Sequence, residues 1–134
     1  MLDPFAGAGG VVVAGEEAGY VVYTADVDEA VAVGLAVLTT GRHVVADACH
    51  LPFDDAAFDG VATEVPFDPS ADDAVCRMLP ELVRVVRRGG AFAVMCVERQ
   101  ARHLRDHLPV LRPHLDQAVD RKGLAVRVLV WERS

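Results

Sequence analysis

The first half of the chain alternates short apolar runs, rich in β-branched residues, with segments whose apolar positions recur at helical spacing. Glycine and aspartate separate these segments, as is typical of helix caps and turns. Gly19 and Gly41 are placed to end two helices. The pattern predicts the end of a strand at 1–3, a helix at 10–18, a strand at 20–25, a helix at 29–39, a strand at 43–46, a loop at 51–58 and a strand at 59–65.

The second half continues this alternation. Pro80 interrupts a long helical pattern and suits the first turn of a restarted helix, which Gly89 and Gly90 are placed to end. The apolar run at 91–97 is typical of a central strand that is buried on both faces. The pattern predicts a helix at 71–88, a strand at 91–97, a helix at 98–108 that Pro109 ends, a strand at 124–132 and a hairpin partner for it at 116–121.

Five strands that alternate with crossover segments predict an α/β fold. The expected architecture is a Rossmann-like, doubly wound sheet, mostly parallel, with an antiparallel strand or hairpin at its C-terminal end. A chain of 134 residues is long enough for a single core, so residues 1–134 are predicted to form one compact domain.

The composition is typical of a globular protein, with 52% hydrophobic and 25% charged residues. No apolar run approaches the roughly 20 residues that span a bilayer, and no signal peptide opens the chain. We therefore expect a soluble, cytoplasmic protein with no membrane partner. Cys49, Cys76 and Cys96 lie far apart and are odd in number, which excludes a disulfide framework and favours packing in the core.

The net charge of −7 conceals a difference between the two halves of the chain. Residues 1–75 hold 14 acidic residues and one basic residue, whereas residues 76–134 hold 6 acidic and 12 basic residues. The acids of the first half include the residues that directly follow predicted strands. Part of the negative charge is therefore expected to belong to a binding site.

Ligands of a doubly wound sheet bind beyond the carboxyl ends of its strands. Gly7, Ala8 and Gly9 follow the first strand, where glycine lets the backbone approach a ligand that a Cβ would meet. Asp26 follows the second strand and suits a ribose diol, while Asp28 suits a helix cap. The third and fourth strands are followed by Asp47 and by the segment Glu64-Val65-Pro66-Phe67.

A glycine loop by itself does not identify the ligand. A nicotinamide-binding loop reads GxGxxG or GxGxxA, whereas Val12 occupies the sixth position here. Asp3, four residues before Gly7, stands where an apolar residue is usual in such loops. An acid at this position suits a ligand with an amino or sulfonium group, so a nicotinamide-dependent dehydrogenase is disfavoured.

Residues 3–9 (DPFAGAG) resemble motif I of class I S-adenosylmethionine-dependent methyltransferases. The resemblance is to the DPFxGxG variant of the amino-methylating DNA methylases and the tRNA guanine-N2 methyltransferases. Four further segments resemble motifs of this family in the same order: 23–28 (YTADVD), 47–53 (DACHLPF), 58–61 (FDGV) and 82–90 (LVRVVRRGG). Together they cover nearly the whole chain.

The resemblance implies S-adenosylmethionine as the cofactor and methyl transfer as the reaction. It implies that Asp26 binds the ribose and that Asp47 faces the amino group of the adenine. The implied cofactor-binding residues are Asp3, Phe5, Gly7, Ala8, Gly9, Asp26, Val27, Asp47, Ala48 and Glu64.

The segment after the fourth strand departs from the family. Amino-methylating relatives carry D/N/S-P-P-Y/F there; the polar residue and a backbone carbonyl accept hydrogen bonds from the target amine, and the aromatic ring stacks on the base. Here Glu64 replaces the polar residue and Val65 replaces the first proline. The implied catalytic residues are Glu64, Pro66 and Phe67, with Glu64 orienting the amine and taking its proton.

The start of the chain departs from the family as well. Relatives have a full first strand and a preceding helix that covers the methionine end of the cofactor, whereas only Met1 and Leu2 precede Asp3 here. The predicted domain therefore has a truncated N-terminus. Either a protein partner, a second copy of the chain in a homo-oligomer or an upstream segment supplies the cover, or the site is open.

The predicted helix at 98–108 carries Arg99, Arg102 and Arg105 at three-residue spacing. These side chains either face an anionic substrate such as RNA phosphate or form a solvated helix face. His103 and His107 have a spacing that suits a metal ion, but no third ligand is evident, so no metal is predicted.

Two functions are consistent with these features. The first is a methyltransferase acting on a nitrogen, with an RNA base favoured as acceptor by resemblance and a small-molecule amine as the rival. The second is a non-catalytic methyltransferase-like subunit that binds the cofactor or a protein partner. The short N-terminus and the altered fourth-strand segment motivate this alternative.

Overall fold

The computed structural model describes residues 1–106 and 111–134. These residues form a seven-stranded sheet in the order β3-β2-β1-β4-β5-β7-β6. β1 to β5 run parallel, and β7 and β6 are antiparallel, which confirms the predicted doubly wound α/β architecture. The strands are β1 (Leu2–Asp3), β2 (Tyr23–Asp26), β3 (His43–Val45), β4 (Phe58–Glu64), β5 (Val86–Cys96), β6 (Leu111–Arg121) and β7 (Leu124–Arg133).

The sheet order reverses at β1. Leu2 pairs with Tyr23 of β2 on one side and with Val61 of β4 on the other. In a doubly wound sheet, the connections diverge at such a point and leave a crevice beyond the carboxyl ends of the strands. The residues that follow β1, β2 and β4 therefore meet at this crevice.

The described residues also form five α-helices and two short 3₁₀ turns. An aspartate side chain caps each turn: Asp28 accepts a hydrogen bond from the Ala30 amide, and Asp68 accepts one from the Ser70 amide. Asp28, and not Asp26, is thus the cap of the second helical segment. The helices are α1 (Gly10–Glu17), α2 (Ala32–Leu38), α3 (Asp72–Arg77), α4 (Leu79–Val85) and α5 (Glu98–Arg105), with the turns Glu29–Val31 before α2 and Pro69–Ala71 before α3.

The last part of the predicted helix at 71–88 is wrong. α4 ends at Val85, and Val86 already pairs with Phe58 of β4. The glycine pair that was expected to end the helix lies inside β5, next to a register shift in β4. A Cβ on Gly90 would lie 2.6 Å from the carbonyl oxygen of Asp59, so glycine is required because the two strand backbones come close.

Smaller differences concern the ends of elements. The strand predicted at 20–25 begins at Tyr23, and the helix predicted at 29–39 is divided into a 3₁₀ turn and α2. Pro80 lies in the first turn of α4, as predicted, and divides the long helical pattern. The predicted end of the helix at 98–108, with Pro109, lies outside the described residues.

The C-terminal hairpin is longer than the segment predicted at 116–121. β6 and β7 pair from Leu111 opposite Arg133 to Arg121 opposite Leu124. β5 ends at Cys96, opposite Arg127 of β7. Residues 119–126, here called the hairpin tip, therefore extend beyond the end of β5.

The core lies between the central strands and the helices α3, α4 and α5. Phe92 of β5, Leu82 of α4 and Leu104 of α5 are fully buried within it. Each such side chain contributes roughly 1.5–3 kcal/mol by leaving water. Val12 of α1 and Leu35 of α2 are buried outside this cluster. Among the described helices, none has the length and apolar composition needed to cross a bilayer.

Candidate functional site

The loop between β1 and α1 is held in a tight turn. Gly7 and Gly9 have φ values of 51° and 87°, in the left-handed region that glycine enters at low cost. The Gly9 amide donates to the Ala6 carbonyl at 2.8 Å, and the Ala6 amide donates to the Ala25 carbonyl of β2 at 3.1 Å. Gly9 is buried, and a Cβ there would lie 2.4 Å from Cδ2 of Leu38. Its absence therefore lets α1 begin close to α2.

Asp26, the last residue of β2, connects that strand to the glycine loop. Its Oδ2 accepts a hydrogen bond from the Gly7 amide at 2.9 Å. Its Oδ1 accepts one from the Asp28 amide, also at 2.9 Å. The carboxylate is half-buried, so it both fixes the loop and presents oxygen atoms at the crevice.

Asp3 is a buried carboxyl group at the end of β1, with 1% of its surface exposed. Its Oδ1 accepts hydrogen bonds from the Thr63 hydroxyl at 2.6 Å and from the Phe5 amide at 3.1 Å. Burial raises the pKa of Asp3 to about 6, because the charged form loses its hydration, and the two hydrogen bonds oppose this shift.

A cavity of about 700 Å³ lies at the crevice. Eight of the predicted site residues line it, which brings the glycine loop and the segment after β4 to one space. These eight are Asp3, Phe5, Gly7, Ala8, Asp26, Glu64, Pro66 and Phe67.

Four other predicted site residues are not among the residues that line this cavity. Gly9 and Ala48 are buried, and 68% of Val27 is exposed. The exposed Asp47 follows β3, and its carboxylate accepts a hydrogen bond from the Cys49 amide at 2.8 Å. Contact of Asp47 with the adenine, and of Val27 and Ala48 with the cofactor, stays a prediction.

The segment after β4 is fixed by α5 and α3. Gln100, buried on α5, donates from Nε2 to the Pro66 carbonyl at 2.8 Å. Arg99 donates to the Phe67 carbonyl at 2.9 Å and pairs with the Asp72 carboxylate of α3. These contacts fix the backbone at the end of the cavity.

The three arginines of α5 are paired with acids. Arg99 pairs with Asp72, and Arg105 pairs with both Asp116 and Glu98. Arg102 lies 3.6 Å from the Glu98 carboxylate. Neighbouring carboxylates therefore offset these three charges, which lowers the electrostatic attraction of the helix for RNA phosphate.

The sequence did not single out Arg121, which lines the cavity. It is the last residue of β6, and its guanidinium contacts the Glu64 carboxylate. Its position depends on how far the hairpin tip extends beyond β5. The chain gives no local signal for that distance.

The sequence matches the family described as a methyltransferase domain over residues 2–94. This chain belongs to that family. The expected cofactor, S-adenosylmethionine, and the assignment as a methyltransferase are confirmed by this membership. No curated protein matches the sequence significantly.

Solved structures of methyltransferases share the fold. TrmN from Thermus thermophilus superposes with a TM-score of 0.81 at 27% identity, over 99% of this chain. The chain spans only 43% of the length of that protein. An S-adenosylmethionine-dependent methyltransferase from Methanosarcina mazei superposes with a TM-score of 0.79 at 13% identity, over 98% of this chain and 91% of that one.

A third structure was solved with its ligands bound. It is the 1,6-didemethyltoxoflavin-N1-methyltransferase of Burkholderia thailandensis, with 1,6-didemethyltoxoflavin and S-adenosylhomocysteine. Its TM-score is 0.71 at 22% identity, over 99% of this chain and 70% of that one. At this identity the likeness shows the shared fold.

The cavity of this methyltransferase domain fits its cofactor. Its volume lies within the roughly 300–1,000 Å³ that is usual for small-molecule sites. A Cβ added at Gly7 would have no atom within 4 Å, so a ligand can approach the Gly7 backbone closely. Asp3 and Asp26 line the cavity, and carboxyl groups have the chemistry that ammonium and hydroxyl groups of a ligand require.

The remaining thiol and imidazole groups do not form a second centre in the described residues. Burial raises the pKa of the Cys49 and Cys96 thiols to about 11, so both are protonated at neutral pH. No group of three metal-ligating side chains lies together in residues 1–106 and 111–134. His107 lies outside these ranges.

Proposed function

We propose that this domain transfers the methyl group of S-adenosylmethionine to a nitrogen atom of its acceptor. One observation carries the proposal: the motif I residues Asp3 and Gly7 line the same cavity as Glu64 and Phe67. A donor and an acceptor bound there would be neighbours, and holding two reactants in contact accounts for much of the catalysis of a displacement reaction.

The cofactor-binding residues are assigned from the family resemblance and, for those that line it, from their places around the cavity. The glycine loop and Phe5 receive the methionine end, and Asp3 faces its ammonium group. The Asp26 carboxylate receives the ribose hydroxyls, while Val27, Asp47 and Ala48 lie toward the adenine. The bound cofactor supplies an electrophilic methyl group on a sulfonium.

Glu64 and Phe67 are assigned to the acceptor. Phe67 stacks on a planar acceptor, and Glu64 accepts a hydrogen bond from its amine. The acceptor nitrogen forms its bond to the methyl carbon as the sulfur–carbon bond breaks, and Glu64 takes the proton that the nitrogen loses.

Two acceptor classes remain, each favoured by one observation. The DPFxGxG motif, through its resemblance to the tRNA guanine-N2 methyltransferases, favours a nucleobase of RNA. The ion pairs of Arg99, Arg102 and Arg105 favour a small-molecule amine, since they leave α5 without a strongly basic surface.

Turnover with a labelled cofactor tests the proposal. The chain is incubated with methyl-labelled S-adenosylmethionine and with bulk RNA or a panel of aromatic amines, and products are identified by mass spectrometry. We expect label on nitrogen, and a loss of about 10²–10⁴-fold in Glu64→Ala. Glu17→Ala, which changes an exposed acid at the end of α1, serves as the control.

The same assay examines the alternative of a non-catalytic subunit. Cofactor binding by calorimetry without turnover on either panel would support that alternative and contradict the proposed reaction. Absence of cofactor binding at millimolar concentration would contradict the proposed reaction and leave a subunit that binds a protein partner. A second copy of the chain or a protein partner over the cavity stays a prediction from sequence, which sedimentation of the purified chain examines.

A further inference from the structure

The hairpin tip brings a cation to the acceptor side of the cavity. β5 ends opposite Arg127, but the pairing of β6 with β7 continues to Arg121 opposite Leu124. Arg121 lines the cavity together with Glu64 and Phe67. The Glu64 carboxylate lies at the end of β4, so the contact between these two side chains joins the tip to the central sheet.

The base of the hairpin is held independently of this contact. Asp116 of β6 pairs with Arg105 of α5 at 2.7 Å and with Arg127 of β7 at 2.6 Å. Glu98 of α5 also pairs with Arg105. A change at Arg121 therefore leaves the ion pairs that attach the hairpin to α5 in place.

Arg121 differs in charge from the other described residues that line the cavity. The lining includes the acids Asp3, Asp26 and Glu64, and Arg121 is its one basic side chain among the residues that the structure describes. The exposed fractions of the Arg121 and Glu64 side chains are 46% and 39%. Water therefore screens their attraction, so a ligand anion can replace the carboxylate at small cost.

We infer that Arg121 determines acceptor specificity by binding an anionic group, a phosphate or a carboxylate, next to the nitrogen that is methylated. The planar guanidinium offers paired N–H donors that match either anion. Binding of this group displaces Glu64 from Arg121 and frees its carboxylate for the amine of the same acceptor. The inference rests on the proposed function, which assigns the acceptor to this side of the cavity.

Calorimetry with simple anions tests the site apart from turnover. The chain, saturated with S-adenosylhomocysteine, is titrated with inorganic phosphate and with acetate. We expect Arg121→Ala to weaken binding of the better anion at least tenfold. Glu64→Gln removes the competing charge and should strengthen that binding about threefold to tenfold. Arg112→Ala, which alters another arginine of β6 that pairs with Glu132, should leave it unchanged.

The source of the anion is found by adding a mixed-sequence RNA decamer. Tighter binding of the decamer than of phosphate, lost in Arg121→Ala, assigns the anion to RNA. Phosphate or acetate binding without decamer binding assigns it to a small molecule. Thermal unfolding of each variant establishes that it is folded, and Arg121→Lys should restore part of the affinity because it keeps the charge.

Two results would overturn the inference. The first is equal affinity of the unchanged chain and Arg121→Ala for every anion, or no anion binding at all. The second is a tenfold loss of S-adenosylhomocysteine affinity in Arg121→Ala with anion affinity unchanged, which would assign the guanidinium to the carboxylate of the cofactor. Absence of methyl transfer with anion binding through Arg121 intact would contradict the proposed reaction and leave the anion site standing.

Discussion

Asp3 and Asp26 are carboxyl groups at one cavity with different surroundings. Asp3 is buried and accepts hydrogen bonds from the Thr63 hydroxyl and the Phe5 amide, while Asp26 is half-buried and accepts two backbone amides. Ionisation of Asp3 therefore lowers the stability of the ligand-free protein, and a ligand cation beside the carboxylate would offset that loss.

Asp3→Asn should stabilise the free protein at neutral pH. Burial raises the native pKa of Asp3 to about 6 from its ordinary value of 3.8, so the native state binds the proton more tightly than the unfolded state. Stability is therefore lost as pH rises from about 4 to 6. Asparagine has no charge to bury, so we expect a gain on the order of 2 kcal/mol at pH 7 that vanishes near pH 4.

Urea unfolding of both proteins across this pH range measures the effect. The exposed Asp54→Asn serves as the control and should follow the unchanged protein. An Asp3→Asn variant less stable than the unchanged protein at pH 7 would contradict the argument.

Asp26→Ala should weaken binding of S-adenosylmethionine by about 1–3 kcal/mol. The variant loses a charged acceptor for the ribose and also the hydrogen bond that holds the Gly7 amide. Calorimetry of Asp26→Ala beside Asp28→Ala separates these carboxylates, because Asp28 caps the 3₁₀ turn before α2. Equal losses in the two variants would mean that the effect comes from the local fold.

At the scale of elements, the glycine loop and the start of α1 depend on the two left-handed glycines in different ways. Gly7 lines the cavity and has open space where a Cβ would lie, whereas Gly9 packs against α2. Both tolerate only a residue that enters the left-handed region at low cost.

Gly9→Ala should therefore destabilise the fold more than Gly7→Ala. Each alanine costs roughly 1–2 kcal/mol for its backbone conformation. At Gly9 the new methyl also meets the Leu38 side chain, which raises the expected loss to about 2–4 kcal/mol. Urea unfolding gives the comparison, and equal losses would contradict the assigned contact. Cofactor affinity of the folded variants should fall for Gly7→Ala, which adds a methyl group beside the cavity.

Elements that are defined by local interactions could be predicted from the sequence, and elements that depend on pairing between distant segments could not. The strands and helices of the first half were placed within a few residues because their apolar spacing and caps are local. The segment 86–90 was assigned to a helix because a glycine pair after a helical pattern is typical of a helix end. This segment forms the start of β5 instead, because Val86 pairs with Phe58, which lies 28 positions earlier.

At the scale of the whole molecule, the charges of the two halves pair with each other. Arginines 84, 87 and 99 of the basic half form ion pairs with aspartates 55, 59 and 72 of the acidic half. The asymmetry along the sequence thus becomes contacts between elements. Asp3, Asp26 and Glu64, three of the acids for which the sequence predicted a site, line the cavity.

RNA binding, if RNA is the acceptor, should depend only weakly on salt. Each phosphate contact to a single strand contributes a slope of roughly −0.7 in log affinity against log salt. With the arginines of α5 in ion pairs, we expect a slope of about −0.7 to −1.5, carried mainly by Arg121. Fluorescence anisotropy with a labelled RNA measures it. A slope steeper than about −3 would show that the α5 arginines leave their partners to bind phosphate.

The sequence by itself determined the architecture, the family resemblance, the cofactor and eight residues around one cavity. These follow from local patterns, since apolar spacing, glycine turns and acids after strands lie within short segments. Only the tertiary structure decided which acid each arginine pairs with and which arginine reaches the acceptor side. That outcome depends on distances between segments far apart in the chain, such as the reach of the hairpin tip to Glu64, and a pattern along the sequence carries no measure of such distances.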